Sequence, residues 1–201
     1  MKFKLQFNGK EMTADMTSLT ERANGSCLLR YGDTVVLATV TMSQKEAQNQ
    51  GFLPLSVEYL ERYYAAGKIL GSRFIRRESR PTNEAIITAR LIDRAIRPRF
   101  PQNLNHEVQV IVTCLSWDRE NDPDVLGLIA TSLALGASDI PWNGPLGALR
   151  IAKSGENFIV NPTYEQREKP KIDLCLSSIK SKDGLLINML EGEAQEADEE
   201  T

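Results

Sequence analysis

TNEAIITARLIDRAIRP, residues 82–98, is the stretch on which the fold turns. Thr82 is a residue type that caps a helix N-terminus, and Pro98 cannot continue a helix, so the pattern predicts a helix from about Thr82 to Arg97. Ala85, Ala89, Ile92 and Ile96 share one face of it, while Arg90, Arg94 and Arg97 fall at i, i+4 and i+7 on another. Downstream, Val108 to Ser116 reads as a strand, and Asp122-Pro123-Asp124 opens a second, apolar helix ending near Ser138. Further strands are expected at Leu146 to Lys153, Asn157 to Asn161, Lys171 to Ser178 and Leu185 to Leu190.

Upstream the chain is rich in strands. Asn8-Gly9 joins two short alternating runs, a strong hairpin signal. A second hairpin runs from Ser26 to Arg30, turns at Tyr31-Gly32-Asp33 and returns through the β-branched run Thr34 to Val40. Ser43 to Gln50 reads as a polar loop, Phe52 to Leu60 as another strand, and Gly67 to Pro81 as an exposed Gly-, Arg- and Ser-rich loop. The order β-rich, α, β, α, β-rich implies an α+β domain with helices packed against a mixed sheet. Residues 1–190 form that domain, and 191–201 are an acidic tail reading as the start of a surface helix.

With 201 residues, 41% of them hydrophobic, one sizeable core is the expectation. No apolar stretch approaches the roughly 18 residues of a membrane span, and the N-terminus lacks the apolar segment of a signal peptide, so a cytoplasmic protein without membrane contact is expected. Cys27, Cys114 and Cys175 are far apart and set among apolar neighbours, which points to buried reduced thiols rather than disulfides or a zinc site. One histidine, His106, leaves no partner for Ser–His or Cys–His catalysis.

The formal charge of −3 conceals a strong asymmetry. From Arg73 to Arg99 eight arginines meet three acids, so that window carries +5 and the rest of the chain −8. Concentrated arginine on an acidic chain is a directed anion site. In the loop, Phe74 among Arg73, Arg76, Arg77 and Arg80 supplies a stacking ring beside phosphate-binding cations, as single-stranded nucleic acid requires. The other reading is an aromatic anchor with solvated arginines. Arg90, Arg94 and Arg97 repel one another unless an anion or protein carboxylates lie between them, so they are an anion site or an internal, interface-stabilising network. Asp122 and Asp124 read as helix caps rather than metal ligands. No phosphate loop, dinucleotide fingerprint or nucleophile elbow is present.

Several stretches then become recognisable: AGKILGSRFIRRESRP (66–81), ARLIDRAIRPRFP (89–101), NHEVQV (105–110), NGPLG (143–147) and NPTY (161–164). Together they resemble the polynucleotide phosphorylase family, nearly end to end. The resemblance implies the first of two ribonuclease PH-type (ribosomal S5 domain 2-like) cores. It also implies a homotrimeric ring around single-stranded RNA, and 3′→5′ degradation of mRNA by inorganic phosphate, releasing nucleoside diphosphates. It further implies Mg²⁺ bound in the second core and possible partners in an RNA-degradation complex. The family's channel loop Phe-Phe-Arg-Arg corresponds to Phe74-Ile75-Arg76-Arg77 with Arg73 added. Where the catalytic core has a serine-rich phosphate turn, this chain has Asp122-Pro123-Asp124. Asp173 matches one metal-binding aspartate, whereas the other position falls near Arg167. The resemblance therefore implies a vestigial site with neither catalytic residue nor metal in this chain. The alternatives are a stand-alone ribonuclease PH-like exonuclease and a non-catalytic, exosome-like ring subunit.

Overall fold

Asn8 and Gly9 sit at φ 49° and 74°, closing a tight turn between β1 (Lys2–Phe7) and β2 (Lys10–Asp15). Asn and Gly tolerate that left-handed backbone better than other residues, which is why the dipeptide marks the hairpin. β3 (Gly25–Tyr31) and β4 (Thr34–Glu46) form the second hairpin. β5 (Leu55–Leu60) leads through a 3₁₀ turn, Tyr63–Ala66, to α1 (Asn83–Ile96), and β6 (His106–Ser116) then pairs parallel to β5. α2 (Pro123–Gly136) precedes β7 (Leu146–Ser154), β8 (Asn157–Val160), β9 (Ile172–Ser181) and β10 (Gly184–Ala194). These elements come from a computed structural model that describes residues 1–16, 19–47, 51–69, 71, 80–154, 157–168, 170–182 and 184–195.

The strands form two sheets, β1-β2-β3-β4-β6-β5 and β10-β9-β7-β8. The first is the mixed sheet expected from the sequence, with β5 and β6 as its parallel pair; the second is a separate sheet, antiparallel throughout. The helices lie between them, α2 touching β3, β4 and β6 of one sheet and β7 of the other, α1 touching β5 and β10. Alternation explains the arrangement. Val36, Ala38 and Val40 of β4, and Val108, Val110 and Val112 of β6, point to the side where Ile92, Ile96, Leu128 and Leu135 wait. Burying each large aliphatic side chain contributes roughly 1.5–3 kcal/mol, against about 0–1 kcal/mol for a surface ion pair such as Lys4–Glu11, so this layer holds the fold. β3 and α2 approach so closely that a Cβ on Gly25 would lie 2.3 Å from the Ala134 carbonyl oxygen.

α1 begins as the sequence implies, with Thr82 Oγ1 accepting from the Ala85 N–H at 3.0 Å. Two ends differ. β4 extends to Glu46, where Glu46 pairs with His106 beyond an irregularity; its polar residues sit at the solvent-facing end of the sheet, where a strand needs no apolar side chains. β10 runs to Ala194 opposite Ile172, so the acidic segment starts as strand and not as helix. It is a sheet edge, and Glu191 and Glu193 are accommodated because they lie beside solvent. All three cysteines are buried free thiols. Among the described residues no helix is long and apolar enough to cross a membrane.

Candidate functional site

Where the two sheets and α2 meet, five charged side chains converge. Arg150 comes from the middle of β7 and Asp173 from the adjacent β9. Asp122 caps α2, its carboxylate accepting from the Asp124 N–H at 3.4 Å, and Asp124 lies in the first turn. Arg167 belongs to the turn after β8, where its N–H donates to the Thr163 carbonyl at 3.2 Å. Asn161, at φ 47°, holds Arg150 from both sides: its side chain accepts from the Arg150 N–H at 2.8 Å, and its N–H donates to the Arg150 carbonyl at 2.7 Å.

Arg150 donates through Nη1 to both oxygens of Asp173, at 3.2 and 3.1 Å, and through Nη2 to Asp124, with Asp122 at 3.6 Å. Arg167 donates to Asp122 and, at 3.5 Å, to Asp173. Its guanidinium lies 4.8 Å from the Tyr164 ring centre, and Tyr164 meets Trp117 edge-on at 5.8 Å. The five charged side chains keep no more than 17% of their surface exposed. Burial, and then the neighbouring Asp122, push the Asp124 carboxyl up to about 7 despite the opposing pull of Arg150. Three acids share two guanidiniums, so one retained proton makes the cluster neutral.

This geometry leaves little for a ligand to hold. Oxygens of all three carboxylates accept hydrogen bonds from guanidinium groups, and the N-terminus of α2, which could cradle a phosphate, faces the two aspartates of its own first turn. Among the described residues no group of three or more His, Cys, Asp or Glu side chains is placed to hold a metal ion. The residues present do not fit a Mg²⁺ centre, which requires carboxylate oxygens free to coordinate. A groove of about 1630 Å³ is lined by the cluster together with Tyr63, Arg80, Glu84, Arg90, Glu191 and Glu193.

Residues 9–141 match the family model described as 3′ exoribonuclease family, domain 1. The chain belongs to this family. A polyribonucleotide nucleotidyltransferase of Thermus thermophilus is 48% identical over 200 residues, covering all of this chain and 27% of that protein. The corresponding protein of Clostridioides difficile is 43% identical over 198 residues, covering 98% of this chain and 28% of that one. The chain thus spans little more than a quarter of the length of these relatives. A crystal structure of rice Rrp46 superposes with a TM-score of 0.66 at 17% identity, covering 92% of this chain and 81% of that one, and shows a shared fold. The ribonuclease PH-type α+β architecture expected from the sequence is therefore the architecture found.

Within this family framework the sequence-derived residues fall in separate places. Arg73, Phe74, Arg76 and Arg77 lie outside the described residues. Arg80 is exposed at the groove. The helix arginines do not converge on a common point. Arg97 forks onto Asp93, with bonds of 2.9 and 2.7 Å, and also donates to the Leu53 and Leu55 carbonyls at 3.1 Å. Arg94 donates to Glu191 of β10 at 3.1 Å, and Arg90 is exposed. Asp173 faces Arg167, as the sequence comparison implied, but its nearer partner is Arg150. Sequence reading missed Arg150. The available signal was a lone cation inside the otherwise apolar run Leu146 to Ala152, a position that demands a buried counter-charge.

Proposed function

We propose that this chain is the first core domain of a polyribonucleotide nucleotidyltransferase that degrades RNA 3′→5′ with inorganic phosphate. In that reaction phosphate attacks the terminal phosphodiester, and a nucleoside diphosphate leaves; in reverse, diphosphates are polymerised. The observation that carries the division of labour is the five-residue cluster. Its carboxylates are committed to Arg150 and Arg167, so the phosphorolytic step and its Mg²⁺ belong to a second core, while this core guides RNA and builds the ring.

RNA guidance falls to Arg73, Phe74, Arg76, Arg77 and Arg80. Cations there grip successive phosphates and the ring stacks on a base of any identity. A homotrimeric ring of such subunits, working on mRNA in the cytoplasm, is the assembly that fits this role. The outer strand β10 supports an interface of that kind, since it presents Leu185, Ile187 and Leu190 largely exposed along a sheet edge.

The test is phosphate-dependent release of nucleoside diphosphates from poly(A) by this 201-residue chain with Mg²⁺, beside RNA binding. Binding without release is expected. Release abolished by Asp173→Ala would instead make the chain a stand-alone exonuclease. Replacing Arg76 and Arg77 with Ala should flatten the salt dependence of RNA binding by a slope of roughly 0.7 per lost phosphate contact. An unchanged slope removes the loop from the RNA path.

A further inference from the structure

The two stems of the arginine-rich segment meet at one hydrogen bond. Thr82 Oγ1 donates to Glu61 Oε2 at 2.6 Å, across a sequence separation of 21 residues. The same hydroxyl oxygen accepts from the Ala85 N–H at 3.0 Å, so Thr82 caps α1 and ties its entry to the end of β5 at once. On the incoming side, the turn Tyr63–Ala66 is pinned to the segment after β6: the Trp117 N–H donates to the Ala65 carbonyl at 3.0 Å, and Arg119 Nη2 to the Ala66 carbonyl at 3.3 Å. Gly67, at φ 68°, closes that turn.

On the outgoing side, Arg80 is followed by Pro81, which disfavours helical backbone at Arg80, and Thr82 is extended at φ −71° and ψ 165°. One stiff residue, Pro81, joins the clamp to Arg80, so fixing Thr82 narrows the directions in which Arg80 leaves the fold. We infer that Glu61 and Thr82 are positioning residues that aim Arg80 at RNA. Glu61 acts through Thr82 and touches no substrate. This inference rests on the reading that the arginine segment meets RNA.

Its sign separates it from simple electrostatics. Glu61 is an exposed acid beside a cationic segment, so charge alone makes Glu61→Ala bind RNA more tightly. The clamp makes Glu61→Ala bind more weakly, by about threefold to tenfold, the span of a net hydrogen bond near 1 kcal/mol. Thr82→Asp keeps an acceptor for the helix cap but cannot donate to Glu61. It should weaken RNA binding while the melting temperature holds. The double variant Glu61→Gln with Thr82→Asp reverses the donor and acceptor at unchanged net charge, and should return to within about twofold of the parent affinity.

The experiment measures oligo(A) affinity as a function of salt for the parent, these variants and Arg76→Ala with Arg77→Ala. Weaker binding by Glu61→Ala at an unchanged salt slope, with recovery in the double variant, supports the clamp. Tighter or unchanged binding by Glu61→Ala, or failure of the double variant to recover, overturns it. If the arginine variant leaves affinity and slope untouched, the reading beneath it fails instead, a separate and recognisable outcome.

Discussion

Replacing Arg150 with Met tests whether the buried cluster is an electrostatic unit. Met preserves most of the side-chain volume but removes the donors that hold Asp124 and both oxygens of Asp173. Arg167 still reaches Asp122 and Asp173, so the group left without a counter-charge is Asp124, beside another acid and only 11% exposed at its side chain. Cutting one partner from a buried pair costs about 3–5 kcal/mol, because the remaining charge cannot be hydrated. For a chain of this size each kcal/mol lowers the melting temperature by roughly 2–4 °C, so a fall of about 6–20 °C is expected at pH 8. Urea unfolding followed by tryptophan fluorescence suits the assay, since Trp117 packs on Tyr164 next to the cluster. The loss should shrink toward pH 6, by at most about 1.4 kcal/mol per pH unit, as Asp124 takes up a proton. Adding Asp124→Asn should recover part of the loss at pH 8, since the orphaned charge is gone. A loss below about 1 kcal/mol at pH 8 would equate Arg150 with a surface ion pair and refute the reasoning.

The unsubstituted chain should show a related pH dependence. Asp124 has its folded carboxyl pushed to about 7 from an ordinary value of 3.8, so folding takes up a proton between the two, and this group's contribution falls as pH rises from about 4 to 7 and is flat above. Asp124→Asn should remove that component, seen as the difference in urea midpoint between parent and variant across pH 5–8; a difference independent of pH would contradict it. Gly25→Ala should destabilise by about 1–3 kcal/mol in the same assay, because the new methyl would press on the Ala134 carbonyl of α2. Arg97→Ala should destabilise while leaving the salt slope of RNA binding unchanged, since its donors are spent on Asp93, Leu53 and Leu55; a flatter slope would place it on the RNA path.

Much of the site was legible in one dimension and much was not. The Asp122-Pro123-Asp124 turn reads as a cap because capping is local: the groups it satisfies are the next few N–H groups of its own chain. That Asp122 and Asp124 also neutralise Arg150 and Arg167 is non-local, since 26 residues separate Asp124 from Arg150 and the contact exists only once β7 lies against α2. The helix arginines show the same limit. Spacing put Arg90, Arg94 and Arg97 on one stripe, yet Arg97 turns back onto Asp93 and reaches the Leu53 and Leu55 carbonyls, which lie beside the end of α1 only in the packed chain.

What the sequence by itself determined was everything set by neighbours along the chain: the Asn8-Gly9 hairpin, the Thr82 cap, the termination before Pro98 and the alternating faces of β4 and β6. These follow from backbone sterics and side-chain periodicity, which act over a few residues. Only the tertiary structure decided that the strands divide into two sheets with the helices between them. It alone decided that the acidic Glu191 and Glu193 continue an edge strand, and that three aspartates surround two arginines. Those outcomes depend on which surfaces exclude water together and which charges are left to compensate one another there, and that is a property of the packed chain rather than of any segment of it.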